Sequence, residues 1–275
     1  RAEDWRRSLV PKVLSNMSRQ SGAAMIIGIE TWTADREGFR RYNSAAFSRP
    51  DVGLTGRYDK LHRVIFGEYV PLQKEVPLMA ALSPMPIQFQ LSKGKTASAF
   101  EYKGMRYAPV ICFEDTVPHL MRGIAKSTAA PQTGKPVDCF VNLTNDGWFH
   151  GSSELDQHLI TAQFRCIETR TPMVRAVNTG ISAIIDGDGV VVEPDDFIDG
   201  DGKGRNSMRD SKTGQYHKQL NAAIVSTVPL DDRRSAYVVW GDWFAGSCGL
   251  MAGFVFIGGL IPRRRRETNV ATDES

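Results

Sequence analysis

The chain has 275 residues, of which 41% are hydrophobic and 24% are charged, as is usual for a globular protein. This composition excludes a disordered chain, a collagen-like chain and a small disulfide framework. The formal net charge is +3, and four of the positive charges lie in one run, Arg263 to Arg266. Because the rest of the chain is close to neutral, a general basic surface for nucleic acid is excluded.

Helical and strand patterns alternate along the chain. The sequence predicts, in order, an amphipathic helix within 3–20, strands at 23–29 and within 40–48, a segment 53–58 leading into a loop, an irregular Pro-rich arm at 70–90, a strand at 107–113, a helix at 118–125, a strand at 137–143, a helix at 154–169, strands at 173–177, 182–186 and 190–193, a solvated insertion at 195–213 and a strand at 220–228. Gly187-Asp188-Gly189 predicts a hairpin turn. This interleaving predicts an α/β fold or a four-layer α-β-β-α arrangement.

An uncharged apolar stretch lies near the C-terminus, from Trp243 to Ile261. About 20 apolar residues span a bilayer as a helix, and an arginine run such as Arg263 to Arg266 marks the cytoplasmic side. The alternative is a buried core helix followed by a solvated basic tail. We expect a large α/β domain at 1–236 outside the cytoplasm, a transmembrane helix at 237–262 and a cytoplasmic basic tail at 263–275.

One cysteine has the setting of a nucleophile. Cys112 lies at the end of an apolar strand and shortly before a helix, where a sharp turn exposes a thiol to a substrate and backbone N–H groups bind an oxyanion. The alternative is a buried structural cysteine, which fits Cys139 and Cys166 better. No spacing among the cysteines and histidines is typical of a metal site, so we expect no metal and no cofactor.

A lysine and a glutamate precede the Pro-rich arm. Lys60 and Glu68 flank a loop, where a buried lysine near a cysteine would favour the thiolate and stabilise a developing oxyanion. Glu68 would keep that lysine charged and oriented. The alternative is an exposed ion pair without a catalytic role, the usual state of such residues.

Four blocks of the sequence, in this order, resemble the nitrilase superfamily. They are GRYDKLHRVIFGEYVPL from Gly56, VICFED from Val110, NLTNDGWF from Asn142 and RCIETRTPMVRAVNTGIS from Arg165. The arm after Glu68 and the closing GDWF from Gly241 resemble, more narrowly, the apolipoprotein N-acyltransferase family of bacterial membrane enzymes. The resemblance implies a nitrilase-like four-layer α-β-β-α sandwich.

The resemblance also implies site residues of a Glu-Lys-Cys triad. Cys112 matches the nucleophile, Lys60 the catalytic lysine, Glu68 a supporting glutamate, Glu114 a further glutamate, Tyr58 and Phe113 aromatic positions beside the site, and Trp148 and Phe149 a loop that lines the acyl pocket. The family's general-base glutamate ends a strand before the first helix, and the sequence, which starts at Arg1, predicts an N-terminally truncated chain without it. Glu30 follows the next strand and is not assigned this role.

The implied reaction moves an acyl chain from a membrane phospholipid, through a thioester on Cys112, to the N-terminal amine of a diacylglyceryl-prolipoprotein. The implied location is the bacterial inner membrane, multi-pass in the full-length protein, with the lipid bilayer as partner and the catalytic domain periplasmic. The arm at 76–87 has two alternatives: it inserts into the lipid bilayer, or it packs on the catalytic domain. Two other hypotheses for the function remain: an amidase or carbamoylase acting on small C–N bonds, and an inactive membrane-anchored binding domain.

Overall fold

The computed structural model describes residues 9–35, 38–73, 75–82, 90–130, 134, 137–202, 204–205 and 207–260. Two compact units divide at the Val239–Trp240 boundary. Among the described residues, the larger unit contains a three-stranded and a six-stranded sheet with helices on their outer faces, and a separate two-stranded ribbon. This arrangement confirms the predicted α/β class and its four-layer form. The basic tail at 263–275 lies outside the described residues.

The first sheet has three antiparallel strands, β1 (Met25–Asp35), β2 (Gly38–Arg49) and β3 (Gly53–Asp59), in that order. Helix α1 (Leu9–Ser21) packs on this sheet. The Ser18 hydroxyl fixes the helix there, because it donates to the carbonyl oxygens of Ala23 and Ser48 from a fully buried position. The helix and three-stranded sheet form the first two layers.

The second sheet has six strands in the order β4 to β9, and its central strands β5, β6 and β7 are parallel. Their bounds are β4 Phe100–Tyr102, β5 Met105–Ile111, β6 Cys139–Asn145, β7 Met173–Asn178, β8 Ala183–Ile185 and β9 Val191–Val192. Helices α3 (Pro118–Ser127) and α4 (Glu154–Thr169) cover its outer face. The predicted hairpin joins β8 to β9.

Alternating side chains on the parallel strands build two cores. Ala108 and Val110 of β5 face α3 and α4, in a fully buried cluster with Phe140. Ile111 points to the opposite face and joins Phe47 and Tyr58 of the first sheet. This period-two alternation stacks the sheets face to face and brings the carboxyl ends of β5 and β6 to one edge.

The remaining described elements are short or lie in the smaller unit. Helix α2 (Pro77–Leu82) follows the Lys60 loop, and strands β10 (Asp196–Asp199) and β11 (Ala222–Val225) pair as an antiparallel ribbon. The boundary between the units falls within helix α5 (Ala236–Trp240), and helix α6 (Trp243–Leu260) belongs to the smaller unit. Within the part of the chain that the structure describes, no helix combines the length and apolarity that a membrane span requires. The predicted transmembrane helix is therefore not supported by the structure.

Three sequence predictions are corrected in detail. The segment at 53–58 is strand β3, because pairing with β2 outweighs the weak strand propensity of its two glycines. The insertion at 195–213 contains β10, whose Phe197 is buried. The irregular arm at 70–90 contains α2, and its residues 83–89 lie outside the described part.

Candidate active site

A cavity of about 1090 Å³ opens at the carboxyl ends of β5 and β6. One wall comes from β1 and β2 and includes Glu30 and Arg41, and the opposite wall includes Cys112, Phe113 and Thr144. Glu68, from the loop after β3, also lines the cavity. The cavity therefore gathers side chains from both sheets around one cysteine.

Cys112 is the first residue after β5 and opens a short 3-10 helix, Cys112–Thr116. Its backbone φ of 54° lies in the left-handed region, which residues other than glycine rarely adopt. Strain of this kind is retained where the surrounding structure fixes it, and here the strand-to-helix turn directs the thiol into the cavity. The sequence prediction of a sharp turn at Cys112 is confirmed.

The electrostatic setting of the thiol has opposing contributions. Burial raises the pKa of Cys112 above its usual value, whereas the positive charge of Lys60, the adjacent Thr144 side chain and the backbone of Phe113 lower it. The Glu68 carboxylate raises it slightly. At neutral pH the thiol is therefore the resting form, and a base is required to generate the nucleophile.

Lys60 is fully buried beside the cavity, with only 1% of its side chain exposed. Its ammonium donates to Glu68 Oε1 at 2.8 Å, and Glu68 Oε2 accepts from the backbone N–H of Val64 at 2.9 Å. Both carboxylate oxygens are thus engaged, which fixes the side chain that orients the lysine. The sequence predicted this pair, and the structure places it in the interior, where it is less screened than an exposed pair.

Glu114 and Tyr58 lie behind the cysteine, outside the cavity wall. The fully buried Glu114 carboxylate accepts from the Tyr58 hydroxyl at 2.8 Å and from the backbone N–H groups of Leu61, His62 and Ile111. Burial raises the pKa of Glu114, against these four donors. The carboxylate therefore joins the loop after Lys60 to the turn that carries Cys112, and acts as a clamp in the fold.

Close backbone approach adds a second restraint on the lysine. The N–H of Gly94 donates to the Lys60 carbonyl oxygen at 2.8 Å. A Cβ at Gly94 would lie 2.0 Å from the carbonyl oxygen of Asp59, a severe overlap with backbone. A glycine is therefore required beside the loop that carries Lys60 for steric reasons.

A charged pair occupies the wall opposite the cysteine. Glu30 accepts from Arg41 Nη2 and from Trp32 Nε1, both at 2.6 Å. The hydrogen bond from Arg41 lowers the pKa of Glu30 and outweighs the opposing effect of burial, and the hydrogen bond from Trp32 lowers it further. Both donors therefore hold Glu30 as an ionised carboxylate.

Aromatic side chains line the mouth of the cavity. The lining includes Phe113, Trp148 and Phe149. The ring centroids of Phe113 and Phe149 lie 5.9 Å apart. Trp148 is 76% exposed at the rim. An exposed indole beside an apolar cavity is suited to contact an apolar ligand as it enters.

The other cysteines differ from Cys112. Cys139 is buried inside β6, where burial raises its pKa to about 12, and Cys166 is buried on α4. Cys248 is exposed on α6. Among the residues described, no group of three metal-binding side chains comes together.

Residues 2–200 match the Carbon-nitrogen hydrolase family. The chain belongs to this family. The apolipoprotein N-acyltransferase of Geobacter metallireducens is 31% identical over 92% of this chain and 42% of its own length. The apolipoprotein N-acyltransferase of Methylococcus capsulatus is 30% identical over the same shares. The chain therefore spans less than half the length of these curated relatives.

A solved carbon-nitrogen hydrolase superfamily protein from Xanthomonas campestris is 16% identical, covers 86% of this chain and 73% of that chain, and gives a TM-score of 0.49. In this chain, Cys112 directly follows β5, one of the three parallel strands at the centre of the second sheet.

Sequence reasoning missed several residues of this carbon-nitrogen hydrolase site. Thr144 and Arg41 were not distinguished, because strand periodicity alone does not show which residues from separate strands meet in one cavity. His158 was also missed, and it lies in a buried network behind the site. Its position in the helical pattern, on the buried face of α4 at the level of Leu155 and Leu159, was the available signal.

Proposed function

We propose that the protein is an apolipoprotein N-acyltransferase that uses Cys112 as its nucleophile, Lys60 as the oxyanion-binding cation and Glu68 as the residue that orients Lys60. The observation that carries this proposal is the buried Lys60–Glu68 pair at the cavity that holds Cys112. The similarity to acyltransferases over 92% of the chain favours this reaction within the family.

In the first half-reaction, the Cys112 thiolate attacks the ester carbonyl carbon of a phospholipid. A C–S bond forms while the carbonyl oxygen gains negative charge, which the Lys60 ammonium and the Phe113 N–H stabilise. Collapse of this intermediate breaks the C–O bond, and the lysophospholipid leaves with a proton. The family resemblance assigns the proton transfers to a general-base glutamate.

In the second half-reaction, the α-amine of a diacylglyceryl-cysteine attacks the thioester. The C–N bond forms, the C–S bond breaks, and the amine proton returns to the sulfur through the same base. A ping-pong scheme follows, since the first product leaves before the second substrate reacts. The same lysine stabilises both intermediates.

The cavity suits a long acyl chain. Its volume of about 1090 Å³ exceeds the need of a small amide, and Leu91, Leu143 and Ile111 provide apolar walls behind the cysteine. Trp148 and Phe149 would guide the chain at the mouth. These features favour acyl transfer over hydrolysis of small C–N bonds.

We place the enzyme at the bacterial inner membrane, with its catalytic unit on the periplasmic side. Both substrates are lipids, so the cavity must open toward a bilayer. Helix α6 exposes Leu250, Phe254 and Phe256, each at least 68% accessible, and these side chains would contact lipid.

The test incubates the complete gene product with a phospholipid whose acyl chain is labelled and with a diacylglyceryl-cysteine peptide. Labelled amide should appear with the wild type and be absent with Cys112→Ala, while Cys139→Ala retains transfer. Release of free labelled fatty acid without amide would identify a hydrolase instead. Transfer that persists in Cys112→Ala would overturn the residue assignment.

A further inference from the structure

A buried charged network lies directly behind the candidate site. Asp115, Asp146, His158 and Arg175 come from four separate elements, and all four side chains are fully buried. None of them lines the cavity. Burial of four ionisable side chains is costly unless their charges balance, so the network needs an explanation beyond packing.

The hydrogen-bond geometry sets the charge of His158. Its Nε2 lies 2.8 Å from Asp115 Oδ1, and its Nδ1 lies 3.0 Å from Asp146 Oδ1. An ionised carboxylate only accepts hydrogen bonds, so each ring nitrogen facing one must carry a proton. Two protonated ring nitrogens define an imidazolium.

The other donors support ionised carboxylates. Asp115 also accepts from Arg175 Nη1 and from Asn142 Nδ2, and Asp146 accepts from the Thr144 hydroxyl. Two carboxylates and one guanidinium leave one negative charge in a dry interior, which a protonated His158 neutralises. Burial lowers the pKa of His158, but its bonds to the two carboxylates outweigh this effect and raise it to about 9.

The network reaches the nucleophile by three contacts. Asn142 Nδ2, which bonds Asp115, also lies 3.4 Å from the Cys112 carbonyl oxygen. The His158 ring lies 5.2 Å from the Phe113 ring, next to the N–H assigned to the oxyanion. Thr144, which bonds Asp146, lines the cavity at the thiol.

We propose that His158 is a positioning residue, a buried imidazolium that joins Asp115 to Asp146 and thereby holds the turn that carries Cys112. Loss of its charge would leave the two carboxylates in repulsion and release both the Phe113 ring and Thr144. The protonation state stands independently of the acyl substrate, whereas the effect on acylation rests on the proposed function.

The first experiment is nitrogen-15 NMR of the complete protein labelled on histidine, at pH 8. Exposed histidines are neutral at this pH, so a signal with both ring nitrogens protonated identifies a stabilised imidazolium. The signal should be absent from His158→Gln, and Asp146→Asn should shift it if His158→Gln does not fold. A wild-type spectrum with only neutral imidazoles overturns the inference.

The second experiment measures the rate of thioester formation on Cys112 at saturating phospholipid. His158→Gln should lower this rate at least tenfold and change the half-saturating phospholipid concentration by less than about twofold, since the ligand contacts remain. The matched control is Gln157→Ala, an exposed neighbour on α4 that should behave as the wild type. An unchanged rate in folded His158→Gln contradicts the positioning role.

The two experiments also separate the two proposals. If the wild type forms no thioester but shows the imidazolium, the proposed function fails while the charge state of the network holds. If thioester forms normally and the imidazolium is absent, the proposed function holds and the role of His158 fails.

Discussion

Lys60 Nζ donates to Glu68 Oε1 across 2.8 Å, and the lysine side chain is almost completely removed from solvent. A buried ammonium needs a compensating anion, which Glu68 supplies, and Glu68 is in turn fixed by the Val64 N–H. The pair therefore places the Lys60 ammonium near Cys112, where the proposed acyl-transfer intermediate would develop negative charge.

Replacing Lys60 by Met should slow thioester formation by roughly 100-fold, the usual cost of losing one oxyanion-stabilising group. Lys95→Met, which removes an exposed lysine, is the matched control and should retain the wild-type rate. The measurement is single-turnover acylation followed by mass spectrometry. Equal rates for the two variants would remove Lys60 from the mechanism.

The Lys60 charge should also shift the pH dependence of Cys112 alkylation. Burial raises the pKa of Cys112 and Lys60 lowers it, so iodoacetamide labelling should increase with pH through a midpoint above the ordinary cysteine value. In Lys60→Met the midpoint should move higher still, because the thiolate loses its cation. Labelling at pH 8 then slows by roughly tenfold for each unit of pKa.

The measurement is mass spectrometry of the labelled Cys112 peptide. It uses the Cys248→Ala variant because Cys248 is exposed and would also be alkylated, whereas Cys139 and Cys166 are buried. A midpoint that stays in place or falls when Lys60 is removed would mean that the lysine does not act on the thiol.

Gly94→Ala should destabilise the protein by about 1–3 kcal/mol and slow acylation, because a Cβ overlaps the Asp59 carbonyl oxygen and displaces the Lys60 backbone. Gly123→Ala is the control, and we expect it not to lower the free energy of unfolding. Gly123 lies within helix α3 with open space around it, so alanine should be neutral or stabilising. The check is the free energy of unfolding measured in denaturant, and similar losses for both variants would argue against steric control at Gly94.

Stability should fall in alkaline solution because of His158. Its pKa is about 9 in the folded protein, against about 6.5 for an unfolded histidine. The stabilisation, on the order of 3 kcal/mol, is complete below pH 6.5 and is lost as the pH rises through 9.

The measurement is the free energy of unfolding between pH 6 and pH 10. His158→Gln should lack this component, whereas His150→Gln, at an exposed position, should keep the wild-type slope. Parallel curves for the wild type and His158→Gln would show that the buried histidine is not charged.

The sequence predicted the order of elements and the Cys112 turn because each depends on local pattern: apolar runs, prolines at helix starts and a cysteine at a strand end. It also placed Lys60 and Glu68 near the site through motif resemblance. The partners of Glu114 were not predictable, because Leu61 and His62 meet it through backbone N–H groups across more than 50 positions of chain. The pairing of Asp115, His158 and Asp146 was likewise not predictable, because contacts between residues of separate elements produce no periodic pattern in the sequence.

The central claim is that an acyl group rests on Cys112 during turnover. The direct measurement is intact-protein and peptide mass spectrometry of the complete gene product after brief exposure to phospholipid alone. We predict a mass increase of one acyl chain at the Cys112 peptide, removed by neutral hydroxylamine as expected of a thioester and absent from Cys112→Ala. An acyl group found on another residue, or no adduct on a protein that still completes transfer, would contradict the account.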